Sequence, residues 1–130
     1  MSSGPTRKPV VWLNGKPKSP PFAHDSRIEA GVLLRRLQEG ESLGPPHSKP
    51  MPSVGRRCHE LKVRDGAHYW RVIYRIDPDA ILVLVVFPKG TERTPMQVKD
   101  ACHARINEYA KAVNAARKRA KKAAPKRGEP

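Results

Sequence analysis

One apolar run constrains the fold of this chain more than any other part of its sequence. Residues 80–87 read AILVLVVF, without a polar side chain, and the turn sequence Asp77-Pro78-Asp79 lies just before them. A short apolar run beside a turn signal is typical of a strand that is buried on both faces. The run therefore predicts a strand at the centre of a sheet, and the segments around it must supply the other elements.

The two segments that precede this run alternate in the way that half-buried strands do. Each of them carries charged side chains on one face: Glu60, Lys62 and Arg64 in residues 58–64, and Arg71 and Arg75 in residues 69–76. Asp65-Gly66 between the segments is a strong signal for a tight hairpin turn. The pattern therefore predicts an antiparallel hairpin with basic side chains along its strands.

The remaining segments predict one more strand and two helices. Residues 10–13 form a short apolar run that suits a first strand. The first helix is predicted to begin at Ser26, which forms a capping box with Glu29. Its apolar face comprises Ile28, Val32, Leu33, Leu34 and Leu37. The second helix is predicted from Thr94 onward, and its apolar stripe repeats every three or four residues: Val98, Cys102, Ile106, Tyr109 and Val113.

Together these elements predict an α+β fold, a small and mainly antiparallel sheet with helices packed on it, in the order β-α-β-β-β-α. Residues 41–57 contain four prolines and are predicted to form a long loop. Composition divides the chain into a disordered N-terminal arm over residues 1–9, one domain over residues 10–113, and a basic low-complexity tail over residues 114–130.

The chain is strongly basic. Its formal net charge is +14, and half of this excess lies in residues 111–130, which carry eight Lys/Arg against one acid. Such an excess indicates a polyanionic partner: nucleic acid first, then an acidic protein or an anionic membrane surface. The tail either binds RNA without sequence preference or is only disordered and solvated, and the sequence leaves both alternatives open.

Several classes of protein are disfavoured. No apolar run is long enough to span a membrane, and the N-terminal MSSGPTRKP has no apolar region that would make it a secretory signal. Two cysteines do not form a disulfide framework. Neither Cys58-His59 nor Cys102-His103 has the spacing of zinc ligands. We therefore expect a cytoplasmic protein that has no membrane contact, no metal and no cofactor.

The cations of the predicted hairpin are the first candidates for a functional site. Like charges on neighbouring strands destabilise a sheet unless something neutralises them. A phosphate group would do so, and arginine offers it a bidentate fork. Lys89 and Arg93 lie in the loop after the apolar run and would extend such a site. The alternative is that all of these charges are ordinary solvated side chains.

Histidine is the natural acid–base group near neutral pH. His47 lies beside Lys49 in the predicted long loop, His59 on the predicted core face of a strand, and His68 in the hairpin. For each histidine taken alone, a structural role is favoured over a catalytic one.

The order of these segments resembles a known family. ELKVRDG, then WRVIYRI, then the apolar strand that runs into FPKGTERTP and a capped helix, is similar to the RelE/ParE toxin superfamily. Within it, the chain most resembles the phage-derived HigB-type toxins of type II toxin–antitoxin systems, whose pattern the upstream PPHSKPM also matches. The resemblance covers roughly residues 10–110.

This resemblance implies a ribosome-dependent endoribonuclease, in which the ribose 2′-oxygen of messenger RNA attacks the adjacent phosphate. Preorganised cations would stabilise the charge that develops there. The family's residues correspond to Arg71 and Lys89 as the catalytic pair. Resemblance and charge pattern together give the RNA-binding candidates Lys62, Arg64, Arg75, Arg93, His47 and Lys49. The implied partners are mRNA, the ribosome and a cognate helix-turn-helix antitoxin protein.

The chain departs from the family pattern in two respects. Glu60 stands where ribonuclease members often have a further basic residue, and the carboxy-terminal Tyr or His that transfers protons has no clear equivalent. His68 and Tyr69 are the candidate substitutes. Two alternatives to a nuclease therefore stay open: a gyrase-inhibiting ParE-type toxin that binds a protein target, and a non-catalytic RNA-binding regulatory protein of the same fold.

Overall fold

A computed structural model describes residues 7–13, 24–66, 68–88 and 94–123. The elements within these residues are β1 (Val10–Trp12), α1 (His24–Gln38), β2 (Ser48–Pro50), β3 (Cys58–Asp65), β4 (His68–Ile76), β5 (Ile81–Pro88) and α2 (Met96–Ala123). The strands form one sheet in the order β1-β5-β4-β3-β2. Only the β1–β5 pair among them is parallel, so the predicted α+β fold with a mainly antiparallel sheet is confirmed.

The predicted hairpin consists of β3 and β4. Gly66 in its turn has a φ of 61°, a left-handed conformation that glycine adopts without a steric cost. The register places Lys62 directly opposite Arg71. The two charged strand faces that alternation predicts therefore coincide on one side of the sheet.

The apolar run forms β5, which is buried on both faces as predicted. From Ile81 to Leu84 its side chains alternate between two cores, with Ile81 and Val83 in one and Leu82 and Leu84 in the other. The predicted position at the centre of the sheet is wrong by one strand. β4 is central, because the short strand β2 adds a fifth position beyond β3.

Helix α1 covers one side of the sheet, where four of its apolar residues are buried: Ala30, Leu33, Leu34 and Leu37. The predicted start of this helix is wrong. It begins at His24, and Ser26 is a buried residue of its first turn. The Ser26 hydroxyl donates a hydrogen bond of 2.7 Å to the carbonyl of Arg64, so this side chain ties α1 to β3.

Two residues that were expected on the buried face of α1 are exposed. Ile28 and Val32 each expose 54% of their surface. At 100° per residue they lie on the opposite side of the helix from Ala30, so they face away from the sheet. Their apolar character therefore led to a wrong prediction, because the face of α1 that packs on the sheet is the one that carries Ala30 and the leucines.

Helix α2 covers the other side of the sheet. Four of the five residues of the predicted stripe make this contact, since Val98, Cys102, Ile106 and Tyr109 pack in the second core. The helix continues beyond the predicted domain boundary at residue 113 and ends at Ala123. Its last turns therefore extend past the residues that pack on the sheet.

The long loop predicted for residues 41–57 contains the strand β2, which pairs antiparallel with β3. The Lys62 N–H donates to the His47 carbonyl at 2.8 Å where this pairing begins. A strand of three residues between prolines is too short for alternation to reveal it.

Near the N-terminus, the Lys8 N–H donates to the Gln38 carbonyl at 3.0 Å, so residues 7–9 lie against the end of α1.

Candidate functional site

A cleft lies on the side of the sheet opposite α1. Its volume is about 360 Å³, and its lining comes from β2, β3, β4 and the loop before β2: Pro45, Pro46, His47, Ser48, Lys49, Glu60, Lys62 and Arg71. Four predicted site residues meet here, namely His47, Lys49, Lys62 and Arg71. We refer to this site as the cleft.

The strands hold the two central cations of the cleft in fixed positions. Lys62 and Arg71 are cross-strand neighbours, and each is flanked along its strand by side chains that point to the other face. Leu61, Val63 and Val72 are among these flanking residues, and all three are buried in the core beneath α1. Because that core fixes the backbone on both strands, the two cations are carried on a rigid surface.

Glu60 holds Arg71 in the wall of the cleft. Both residues are 3% exposed, and the Arg71 Nη1 lies 3.3 Å from the Glu60 Oε2. The other oxygen of Glu60 lies 3.8 Å from the Lys49 Nζ on β2. A buried ion pair of this kind is costly to break, because removal of one partner leaves a buried charge. With Lys62, the cleft has three cations against one carboxylate and stays net positive.

Tyr69 lies at the edge of this cation group. The Lys62 Nζ is 5.1 Å from the centroid of the Tyr69 ring, a cation–π geometry that steadies the lysine. Tyr69 is half-buried. The other proton-transfer candidate, His68, begins β4 opposite Asp65, and its side chain lies outside the described residues.

A buried polar contact anchors the outer wall of the cleft to the core. The Ser48 and Tyr74 hydroxyl groups share a hydrogen bond of 2.7 Å. Burial raises the pKa of Tyr74, so the phenol stays neutral. His59 stacks on Tyr74, with ring centroids 5.5 Å apart. This contact gives His59 a structural role beneath the strands that carry the cleft.

Other predicted site residues lie elsewhere. Arg64 lines a separate groove of about 610 Å³ at the start of α1, and its Nε donates to the Gly66 carbonyl at 3.2 Å. Arg75 shares the strand face of Arg71 but donates two hydrogen bonds to Asp77, at 2.7 and 3.0 Å. Lys89 and Arg93 lie outside the described residues.

The described residues offer neither an activated thiol nor a metal cluster. Cys58 and Cys102 are buried free cysteines, and burial raises the pKa of the Cys102 thiol to about 12. Such a thiol is protonated at neutral pH and is a poor nucleophile. In the described ranges, no three His, Cys, Asp or Glu side chains are placed to hold a metal ion. Nor does any helix there have the length and apolar character of a membrane span.

Sequence reasoning did not foresee what Glu60 does in the cleft. It treated this residue as a departure from a family pattern, whereas the structure places it between Lys49 and Arg71. The available signal is that Glu60 is the one acid on the face of β3 that carries Lys62 and Arg64. Its pairing with Lys49 was hidden because β2 was taken for a loop.

The fold and the cleft define a small α+β protein that presents cations on one open part of its sheet. Residues 21–107 match the family model described as Phage derived protein Gp49-like (DUF891), and the chain belongs to this family. The match spans α1, β2, β3, β4 and β5 and ends within α2. Searches of curated proteins and of solved structures gave no match. A phage-derived family is thereby confirmed, and the HigB-type assignment stays a prediction.

Proposed function

We propose that this protein is the toxin of a toxin–antitoxin system and that it cleaves messenger RNA on the ribosome. The cleft is the observation that carries this proposal. Lys62 and Arg71 face the same space from neighbouring strands, and Lys49 approaches from the edge strand. A phosphate between them accepts hydrogen bonds from several cations at once. The phage-derived family and the resemblance to the RelE/ParE superfamily support the same assignment.

The reaction needs charge stabilisation more than a protein nucleophile. The ribose 2′-oxygen forms a bond to the adjacent phosphorus, and the bond from that phosphorus to the 5′-oxygen breaks. One proton leaves the 2′-oxygen and one reaches the 5′-oxygen. Arg71 and Lys62 neutralise the oxygens of the pentacoordinate phosphorus, a contribution that is often the largest in such sites. Tyr69, next to Lys62, is the candidate for one of the proton transfers.

Glu60 has a positioning role in this proposal. Its carboxylate fixes the guanidinium of Arg71 in the wall of the cleft before RNA arrives. Preorganised cations stabilise a developing charge without reorganisation during the reaction. The same carboxylate also lowers the net charge of the cleft, so RNA binding depends on Lys49 and Lys62 as well.

One observation favours a second candidate, an RNA-binding protein of the same fold that does not cleave. Arg71 is 3% exposed and already faces a carboxylate. In that case Lys49, with 56% of its side chain exposed, and Lys62 supply most of the affinity. Such a cleft holds an RNA backbone without stabilising a transition state.

The test measures growth after induction and cleavage of a defined mRNA, with and without purified ribosomes. Arg71→Lys is the sharpest variant, because it keeps the charge beside Glu60 and removes the bidentate fork. We expect ribosome-dependent cleavage, reduced roughly 100- to 1,000-fold in Arg71→Lys. Arg75→Lys is the matched control on the same strand face, and we expect it to retain cleavage within roughly threefold, because Arg75 is already held by Asp77.

Each contrary outcome selects a different function. RNA binding without cleavage supports the second candidate. Growth arrest with DNA damage and intact mRNA supports a gyrase-inhibiting toxin and overturns the proposal. Rescue of growth by co-expression of a helix-turn-helix protein encoded next to this gene tests the antitoxin partner that a toxin requires.

A further inference from the structure

The second half of α2 forms a basic surface that is distinct from the cleft. Cys102 is fully buried, whereas every residue from Ala116 to Lys122 is exposed. The last ten residues of the helix, 114–123, extend over about 15 Å at 1.5 Å per residue. This segment does not pack in either core, so packing does not explain its basic composition.

Four lysines form a stripe along this helix: Lys111, Lys118, Lys121 and Lys122. At 100° per residue they lie within about 100° of one another, with Lys111, Lys118 and Lys122 opposite Cys102 and Lys121 about 100° from it. Asn107 and Asn114 lie on the same side. The stripe therefore presents only hydrogen-bond donors and amides to solvent, over about 16 Å from its first lysine to its last.

Glu108, three residues before Lys111, is the last acid of the helix, so the other three lysines have no carboxylate within one turn of them. Residues 109–123 contain no Asp or Glu, and within the described part of the chain the lysines of the stripe make no ion pair. Lys118 is three residues from Lys121 and four from Lys122, and like charges at these spacings destabilise a helix. A polyanion that binds along the stripe removes that repulsion.

The composition of the stripe selects among polyanions. No large apolar residue follows Val113 in the helix, so it lacks the apolar face with which an amphipathic helix enters a membrane or a hydrophobic protein groove. No aromatic residue follows Tyr109, so single-stranded bases have nothing to stack on. A duplex instead offers a dense row of phosphates to cations alone.

We propose that the lysine stripe binds the backbone of double-stranded RNA, separately from the cleft. The choice of RNA over DNA rests on the function proposed above. The first turns of α2 follow β5, and its later residues Tyr109 and Arg117 line a groove with Arg75 and Asp77, at the end of β4 remote from the cleft. The stripe also lies beyond residue 107, where the family match ends. One molecule thus holds a structured RNA with α2 while the cleft takes a single strand.

The test is the affinity of the full chain for a labelled 20-base-pair RNA duplex, measured by fluorescence anisotropy over a range of salt. The variant Lys118→Ala/Lys122→Ala removes two cations and favours the helix. The matched control Arg27→Ala/Arg35→Ala removes two exposed cations from α1. We expect the stripe variant to bind roughly tenfold more weakly and to lower the slope of log affinity against log salt by about 1.8. The control should change neither quantity by more than a small fraction of this.

Equal losses in the two variants would overturn the proposal, because binding would then follow net charge alone. Equal or tighter binding of a DNA duplex of the same sequence would overturn the assignment to RNA. Lys62→Ala separates this inference from the proposed function, since it should impair mRNA cleavage and leave duplex binding intact. Unchanged duplex binding in the stripe variant, with cleavage still lost in Lys62→Ala, would refute the stripe alone.

Discussion

Two arginines on the same face of the sheet, Arg71 and Arg75, have carboxylate partners of different kinds. Arg71 and Arg75 are four residues apart on β4 and point to the same side. At the open end, Arg71 lines the cleft and faces Glu60 from the neighbouring strand. At the end that α2 covers, Arg75 donates two hydrogen bonds to Asp77, two residues further along the chain.

This difference shows how a fold can keep one arginine available to bind a ligand. A carboxylate two residues away engages Arg75 locally and bidentately, a geometry that satisfies the fork of the guanidinium. Glu60 instead reaches Arg71 across the strand pair and also faces Lys49. Asp77 also faces a second cation, because the Arg57 Nη2 lies 3.8 Å from its Oδ1. Lys62 adds a third cation beside the single carboxylate of the cleft, so an additional anion is still favoured there.

The largest expected effect comes from the carboxylate at the open end. Glu60→Ala leaves Arg71 buried without its carboxylate, and we expect it to lower the free energy of unfolding by about 3–5 kcal/mol. Urea denaturation measures this loss. Lys49→Ala is the matched control, because Lys49 is exposed and its ion pair with Glu60 should contribute less than about 1 kcal/mol. A loss below about 1 kcal/mol in Glu60→Ala would mean that the ion pair with Glu60 does not hold Arg71 in the wall of the cleft.

A smaller effect is expected at the covered end. Asp77→Ala removes the acceptor of both hydrogen bonds from Arg75, whose side chain is 17% exposed and can reach water. We expect the free energy of unfolding to fall by about 2 kcal/mol. The same denaturation assay compares the two ends directly. A loss as large as that of Glu60→Ala would contradict the ranking of the two carboxylates.

The smallest expected effect probes how tightly α2 closes its end of the sheet. Burial raises the pKa of Cys102 in the folded protein to about 12, above its ordinary value of 9.0. The protonated thiol therefore stabilises the fold fully below about pH 9, and this contribution falls as the pH rises towards 12, by up to about 1.4 kcal/mol per pH unit. Unfolding at pH 8 and pH 10 measures it. Cys102→Ala should show a shallower alkaline loss, and an identical loss would mean that water reaches this thiol.

Periodicity predicted those parts of the fold that carry a long pattern. The alternation in β3 and β4 gave the face shared by Lys62 and Arg71, and the stripe of α2 gave the residues that pack on the sheet. Each pattern repeats often enough to fix its phase. The positions of Lys62 and Arg71 could therefore be predicted from the sequence alone.

The parts that were missed depend on contacts between distant segments. β2 has three residues, and only its pairing with β3 identifies it as a strand. Ser26 was assigned a local capping role, yet it bonds to the carbonyl of Arg64 in β3. Glu60 gains its meaning from Lys49 and Arg71 on two other strands. No local pattern reports such pairings, so the wall of the cleft was not predictable in detail.

Helix α2 has a mechanical consequence. Its first half is fixed by the core, Asn114 and Arg117 line the groove beside Arg75, and the exposed residues from Lys118 onward form a rod. Insertion or deletion of residues in the rod changes its length by about 1.5 Å each and rotates its tip by 100°. Neither change disturbs the packed half. The distance and the direction at which the terminal charges lie can therefore change without a change in the packed part of the protein.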